Sequence, residues 1–221
     1  MAFGGVLCCK SDCSVCTLLR LRQYLVFSKQ NCQKKNIIVY WNMDSLKIIH
    51  FPSVILKNKS APVDNIDSKI VNLANSMIGT MYSAMGIGLA APQIGVSKNL
   101  LVIDLGAQIE KGSAITLINP RITAVNGSKA MDQEGCLSIP GIYAEITRQE
   151  AIEVKGFDIN GKEVVLELNG LLSRAIQHEI DHFNGVLFWD HLGKIKKDML
   201  KRKFKKMQNE EFNQNTGKGN I

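Results

Sequence analysis

The 221-residue chain has few histidines, few cysteines beyond its first 32 residues, and no long apolar run. No hydrophobic stretch approaches the ~20 residues that a membrane-spanning helix requires, so we expect no such helix. Five of the six cysteines stand at positions 8, 9, 13, 16 and 32, which leaves Cys136 alone in the rest of the chain. A body with one cysteine cannot build an internal disulfide framework, so nothing indicates an oxidising compartment.

The net charge of +7 is carried by the two ends of the chain. Residues 1–42 hold six Lys and Arg against one Asp, and residues 191–221 hold nine against three acidic residues. Residues 43–190 hold twelve against sixteen, so the middle of the chain is slightly acidic. The 45% hydrophobic and 21% charged content is typical of a globular protein, and the length suffices for one core with appendages.

Residues 1–42 differ from the rest in charge, in cysteine content and in lacking a sustained period. Three interpretations stay open: sequence upstream of a true start at Met43, an organelle-targeting segment, or a small metal-binding arm built on its Cys-x-x-Cys pair. Arg20 and Arg22 interrupt the apolar part, which disfavours a secretory signal. We expect this extension to be disordered and to stand outside the folded domain.

Helices and strands are predicted in blocks, without the regular alternation of parallel βαβ units. This order favours an α+β fold, with antiparallel or mixed sheets packed around a central helix and with one helix before and one after. The central helix is predicted in NGLLSRAIQHEIDHFNG, with Gly185 at its stop position. Other helices are predicted near 65–84 and from Lys194, strands near 99–104, 115–118, 121–125, 142–147, 151–157 and 162–168, a turn at 158–161, and a loop from 126 to about 141.

The stretch GIGLAAPQIG, residues 86–95, matches the G-x-G-x-x-A form of a dinucleotide-binding fingerprint. That fingerprint works only where a strand enters the glycines and a helix leaves them. Here an amphipathic helical pattern comes before and the strand-like NLLVID follows. We therefore reject a nucleotide site and expect these glycines to let the backbone approach some other ligand closely.

The strongest chemical pattern is H-E-x-x-H within the predicted central helix. His178 and His182 lie four residues apart, so both imidazoles can reach one metal ion, and Glu179 between them can take a proton from water. A catalytic site of this kind needs a third protein ligand. The candidates are Cys136, in the polar segment EGCLSIP, and the Asp-His pair at 190–191, and the polar surroundings favour Cys136.

Three segments in order, GIGLAAPQ (86–93), EGCLS (134–138) and QHEIDH (177–182), resemble the signature motifs of the peptide deformylase family. The similarity runs from about position 43 to position 192. It implies a metal-dependent hydrolase that removes the formyl group from the N-terminal formylmethionine of newly made polypeptides and releases formate. It also explains the glycine stretch, since in that family the segment binds the peptide through its backbone.

The resemblance implies a role for each matching residue. Glu179 is the expected general base, and Gln93 and the Leu137 N–H are the expected oxyanion donors. Glu134 and Asp181 are expected to orient their neighbours. The expected metal ligands are Cys136, His178 and His182, holding Fe(II) natively and zinc, nickel or cobalt as substitutes. The expected substrate-binding residues are Gly88, Ile87, Arg148, Leu171 and Ala175, although a solvated charge explains Arg148 equally well.

The resemblance divides the chain into an extension over 1–42, a catalytic domain over 43–192 and a basic helix with a disordered tail over 193–221. The basic helix favours docking on the ribosome, or simply capping of its own domain. We expect a monomer without membrane association, in the bacterial cytoplasm, or in a mitochondrion or plastid if the extension is a targeting segment. A zinc peptidase and an RNA-binding protein are the rival interpretations.

Overall fold

The computed structural model describes residues 18–21, 24–27, 45–104, 106 and 114–216. The chain divides into two units, Met1–Tyr40 and Trp41–Ile221. In the first, strand β1 (Leu18–Leu21) pairs antiparallel with β2 (Tyr24–Phe27). The rest of the 1–42 extension, for which we predict disorder, lies outside the described residues, as does the tail after position 216.

The described part of the second unit contains three α-helices and one antiparallel sheet, which confirms the α+β prediction. The sheet has the order β3-β4-β5-β6-β7, and every pairing in it is antiparallel. The strands are β3 (Gly88–Ala90), β4 (Leu100–Asp104), β5 (Ala114–Cys136), β6 (Ile139–Phe157) and β7 (Glu163–Asn169). The helices are α1 (Ser68–Ser83), α2 (Gly170–Phe183) and α3 (Lys194–Thr216), with 3-10 turns at Val54–Lys57, Ala91–Ile94 and Phe188–His191.

The loop predicted from 126 to 141 is wrong. Strands β5 and β6 run through it as one long hairpin, with Gln133 opposite Glu145 and a turn at residues 137–138. Residues 121–133 of β5 are exposed on both faces at almost every position, so they carry no alternation of apolar and polar side chains. The prediction failed because alternation reports burial of one face, and this part of the hairpin buries neither.

Helix α2 is buried along most of its length, so the residues of the H-E-x-x-H motif lie in the interior of the domain. Its apolar side chains pack against strands β4 to β7, while His178, Glu179 and His182 are also buried. The helix ends at Phe183, and Gly185 follows with a positive φ of 68°. A Cβ at this glycine would overlap the carbonyl of Lys57, which explains the residue at the predicted stop position.

Helices α1 and α3 close the two remaining parts of the core. Met77 and Met81 of α1 are fully buried against Leu89 and Leu100, as the apolar spacing predicts. Phe204 of α3 is buried in a cluster with the 3-10 turn Phe188–His191. In the part of the chain that is described, no helix combines the length and apolar character that crossing a bilayer demands.

Candidate active site

Three potential metal ligands converge where the β5–β6 turn meets α2. Cys136 ends β5, and His178 and His182 lie one turn apart on α2. One ligand atom from each residue can be chosen so that all three lie within 4.8 Å of one another, and Cys136 Sγ is 3.4 Å from His182 Nε2. A thiol sulfur and two imidazole nitrogens suit iron(II) or zinc.

Asp190 and His191, the other candidates for a third ligand, are occupied elsewhere. Asp190 forms ion pairs with Lys57 and Lys197. His191 Nε2 lies 2.6 Å from Asp181 Oδ2. Within the described ranges, neither residue joins the group formed by Cys136 and the two histidines of α2.

Glu134 fixes the orientation of the first histidine. Its Oε2 lies 3.1 Å from His178 Nδ1, so a proton on Nδ1 leaves the lone pair of Nε2 for a metal. Burial raises the pKa of Glu134, but hydrogen bonds from His178 and Arg148 outweigh burial and hold the pKa well below its usual value. Burial holds the pKa of His182 well below its usual value, which favours the neutral imidazole. A deprotonated orienting carboxylate and a neutral imidazole both fit metal binding.

Glu179 is a buried carboxylate with one oxygen that lacks a hydrogen-bond partner in the described part of the chain. It is 5% exposed, and its Oε2 has no hydrogen-bond partner among the described residues. Burial raises the pKa of Glu179 to about 7, helped by the charge of Glu134 and opposed by His178 and Arg148. A carboxylate with such a pKa can accept and return a proton near neutral pH.

Gln93 is held so that its side-chain amide points toward Cys136. The Ala90 N–H donates to Gln93 Oε1 over 2.8 Å, which fixes the amide orientation. Gln93 Nε2 then points to Cys136 Sγ at 3.5 Å and to Ser138 Oγ at 3.4 Å. Leu137 directly follows Cys136 in the β5–β6 turn, so its backbone N–H starts one peptide unit from the thiol-bearing residue.

A cavity of about 540 Å³ opens beside these groups. It lies between the glycine stretch, the β5–β6 turn and α2, and Cys136, His178 and Glu179 are part of its wall. Gly88 contacts Glu179 so closely that a Cβ there would lie 2.6 Å from the carboxylate Oε1. The predicted substrate-binding residues that line the cavity are Ile87, Gly88, Leu171 and Ala175.

Arg148 stands apart from the other predicted substrate-binding residues. It is 6% exposed, so it is not a solvated charge on a strand. Its Nε and Nη2 donate to the two oxygens of Glu134 at 2.9 and 3.0 Å, and its Nη1 donates to Asp181 Oδ2 at 2.5 Å. Its contact with a peptide stays a prediction, and the described contacts link it to Glu134 and Asp181 instead.

Sequence reasoning missed Arg174, a second buried arginine on the same carboxylate. Arg174 Nη1 donates to Glu134 Oε1 over 2.7 Å. An arginine on the predicted central helix, one turn before His178, was the available signal. The role of Arg174 depends on its contact with Glu134, and the spacing of the two residues in the sequence does not reveal that contact.

The fold and this arrangement define a class of protein. A half-buried thiol, two imidazoles, a carboxylate with one oxygen unpartnered among the described residues and a side-chain amide donor meet at one end of a cavity within an α+β domain. These are the groups that a metal-dependent hydrolase needs to bind an ion, take a proton from water and hold a developing oxyanion.

Comparison with known proteins gives the family. A sequence model of the polypeptide deformylase family matches residues 45–198. The peptide deformylase of Thermodesulfovibrio yellowstonii is 45% identical over 163 residues, which cover 74% of this chain and 98% of that protein. The crystal structure of a peptide deformylase from Legionella pneumophila superposes with a TM-score of 0.70 at 42% identity, covering 75% of this chain and 96% of that one.

A peptide deformylase from Synechococcus elongatus, solved in complex with actinonin, gives a TM-score of 0.68 at 42% identity and covers 74% of this chain and 88% of its own. The chain belongs to the peptide deformylase family. It is a metal-dependent hydrolase that removes the formyl group from the N-terminal formylmethionine of newly synthesised polypeptides.

Proposed function

We propose that Cys136, His178 and His182 hold the catalytic ion of this deformylase, and that the native ion is Fe(II), with zinc, nickel and cobalt as substitutes. The convergence of their ligand atoms within 4.8 Å is the observation that carries the proposal. The Nδ1 contact of His178 with Glu134 supports it, since the other ring nitrogen is then the ligand. When bound, a divalent ion lowers the pKa of a water molecule and so supplies the nucleophile.

Glu179 is the general base and then the general acid of this reaction. Its carboxylate accepts a proton from the attacking water. It then delivers this proton to the α-amino nitrogen of the methionine as the bond from that nitrogen to the formyl carbon breaks. The unpartnered Oε2 and the pKa of about 7 support this role, because the group can both accept and release a proton at neutral pH.

Gln93 Nε2 and the Leu137 N–H donate to the formyl oxygen as negative charge develops on it. Donors that are oriented before the reaction need no rearrangement during it, and one such donor contributes about 10²- to 10³-fold to the rate. The hydrogen bond from Ala90 to Gln93 Oε1 supports the assignment, since it aims the amide nitrogen toward Cys136 and the cavity.

The methionine side chain of the substrate enters the cavity between Ile87, Leu171 and Ala175, and Gly88 offers its backbone to the peptide. Ile87 and Leu171 are 44% and 51% exposed, so apolar surface is available there for burial against a ligand. Arg148 acts through Glu134 and Asp181, whose carboxylates it holds. The catalytic domain spans 43–192.

The base assignment is tested by formate release from formyl-Met-Ala-Ser with Fe(II)-loaded protein kept from oxygen. Glu179→Ala is expected to lower kcat by about 10²- to 10⁴-fold, because proton transfer then falls to water. Glu163→Ala, at an exposed carboxylate on β7, is the matched control and is expected to leave kcat unchanged. Full activity in the Glu179 variant, with iron bound, would contradict the assignment.

The exposed face of α3 docks on the ribosome, and its other face caps the domain. Phe204 is buried in the core, whereas Ile195 and Met199 are exposed beside a run of basic residues. Because deletion of the helix would uncover Phe204, the sharper test reverses exposed charges, in Arg202→Glu, Lys203→Glu and Lys205→Glu together. Ribosome co-sedimentation at low salt is expected to fall, while formate release stays normal; unchanged co-sedimentation would refute docking.

The enzyme is a monomer of the bacterial cytoplasm, and residues 1–42 lie outside its catalytic unit. The exclusion of residues 1–42 is supported by a family match that starts at residue 45 and by relatives that align over 91–98% of their own length. A mitochondrial or plastid location is the alternative, and fusion of residues 1–42 to a fluorescent protein decides between them. Import into an organelle would overturn the cytoplasmic assignment.

A further inference from the structure

Arg174 lies on α2 one turn before His178, and four acceptors surround its guanidinium. It is 6% exposed. Its Nη2 donates to the Ala130 carbonyl over 2.8 Å. Its Nη1 donates to the Ile146 carbonyl and to Glu134 Oε1, both at 2.7 Å, with the Asp132 carbonyl at 3.5 Å.

These bonds tie the helix that carries the two histidines to the hairpin that carries the cysteine. Ala130 and Asp132 belong to β5, and Ile146 belongs to β6. One side chain of α2 therefore contacts both strands of the hairpin close to Glu134. Few other residue types can do this, because the guanidinium offers five N–H donors in a rigid plane.

Glu134 connects Arg174 to His178. Its Oε1 accepts from Arg174 and Arg148, and its Oε2 accepts from Arg148 and faces His178 Nδ1. With both oxygens engaged by arginines, the carboxylate cannot rotate away from the imidazole without breaking charged hydrogen bonds. Arg148 stands on β6 and reaches α2 through Asp181, whereas Arg174 stands on α2 itself, one turn before His178, and bonds directly to Glu134 and to both strands of the hairpin.

We propose that Arg174 is a positioning residue for the metal site, which holds Glu134 and the β5–β6 hairpin where Glu134 accepts the Nδ1 proton of His178. This inference rests on the proposed assignment of Cys136, His178 and His182 as ligands. A purely structural arginine would affect unfolding alone. A positioning arginine also affects how tightly the site holds an ion while the protein is folded.

The test measures zinc affinity of the full chain by competition with a chromophoric chelator, at a temperature where every variant is folded. Arg174→Met keeps the apolar stem and removes the donors, and it is expected to weaken zinc binding about 10- to 100-fold. With zinc saturating, kcat is expected to fall while KM for formyl-Met-Ala-Ser stays the same. The guanidinium of Arg174 already donates to protein acceptors, so it is not available to bind the substrate.

Ser173→Ala is the matched control. Ser173 is fully buried and also ties α2 to β6, through a bond to the Gln149 carbonyl, but the hydrogen bonds of Glu134 go to Arg148, Arg174 and His178 instead. We expect it to lower the melting temperature and to leave zinc affinity unchanged. Unchanged zinc affinity in Arg174→Met would overturn the proposal. Equal loss of affinity in Ser173→Ala would also overturn it, because affinity would then follow stability.

A second variant covers the case in which Arg174→Met does not fold. Arg174→Lys keeps the charge but cannot reach acceptors on both strands and on Glu134 together. In the zinc-loaded, nitrogen-15-labelled protein, we expect the Nδ1 proton of His178 to exchange with water faster in Arg174→Lys than in the wild type. Equal exchange rates would overturn the proposal. A wild-type chain that binds no zinc at all would instead refute the proposed ligands.

Discussion

At the residue scale, the position of the Glu179 carboxylate, on which the proposed chemistry depends, requires a glycine at position 88. Gly88 packs directly on Glu179, and a Cβ at this glycine would lie 2.6 Å from Oε1 and 3.0 Å from the carboxyl carbon. Real Cβ atoms do not approach other atoms so closely, so either the strand or the carboxylate would have to move. Gly88 therefore lets the strand backbone approach the Glu179 carboxylate closely.

Gly88→Ala is expected to lower kcat for formate release by about 10²-fold, because a shift of the base by about 1 Å disturbs proton transfer. The fold should survive, since only the Glu179 side chain stands in the way. Gly193→Ala is the matched control, because a Cβ there would contact nothing within 4 Å. Steady-state kinetics of the two variants, with iron content measured in each, check the prediction; equal kcat values would contradict it.

The sequence could predict those site residues whose spacing carries chemistry. His178 and His182 are four apart on a helix, and Cys136 is the lone cysteine of the body, so the convergence of these three residues was predictable. Arg174 was not predictable, because its partners Glu134 and Ile146 come from distant positions that only the fold brings together. Residues that act through a tertiary partner have no local sequence signal.

At the element scale, one carboxylate ties two 3-10 turns to helix α3. Asp190, in the 3-10 turn Phe188–His191, pairs with Lys57 of the turn Val54–Lys57 and with Lys197 of α3. It also accepts the Leu187 N–H over 2.9 Å. Burial raises the pKa of Asp190, but the bonds from Lys197, Lys57 and Leu187 outweigh burial and lower the pKa to about 2.

Asp190→Asn is expected to lower the free energy of unfolding by about 1 to 2 kcal/mol at pH 7. Since the folded pKa of about 2 lies below the ordinary 3.8, the stabilisation is complete at neutral pH and is lost as the pH falls through this interval. Urea unfolding of wild type and variant between pH 7 and pH 3 should therefore show a shrinking difference. A difference that grows on acidification would contradict this account, and Asp64→Asn, at an 80% exposed side chain, is the control.

The elements that bury one face were predictable, and the exposed hairpin was not. Helix α1 was expected near 65–84 and spans Ser68–Ser83, because Met77 and Met81 mark its buried side. In β6 the alternation over 142–147 was read correctly, since alternate residues there are buried. In β5 the polar, doubly exposed stretch after position 125 was mistaken for a loop.

At the scale of the whole molecule, the family match and the described core cover the same part of the chain. The match spans 45–198, and the three core clusters lie between Leu46 and Met207. Phe204 and Met207 place part of α3 in the core, beyond the position 192 at which the resemblance ended. Helix α3 therefore packs on the catalytic domain at least as far as Met207.

A chain that starts at Met43 is expected to release formate as fast as the full chain, because the core and site residues that the structure describes all follow it. Single-turnover and steady-state assays of both forms, loaded with Fe(II), check this. A truncated protein that folds and binds iron but is inactive would mean that residues 1–42 contribute to catalysis.

The most direct test of the central claim is the electronic absorption of the Co(II)-loaded chain. If Cys136 is a ligand beside His178 and His182, the wild type shows an intense thiolate-to-cobalt charge-transfer band, and Cys136→Ser loses that band together with formate release. A band that persists in Cys136→Ser, or a wild-type spectrum without one, would contradict the site. The ion would then be held by other residues, as in a peptidase with ligands of oxygen and nitrogen alone.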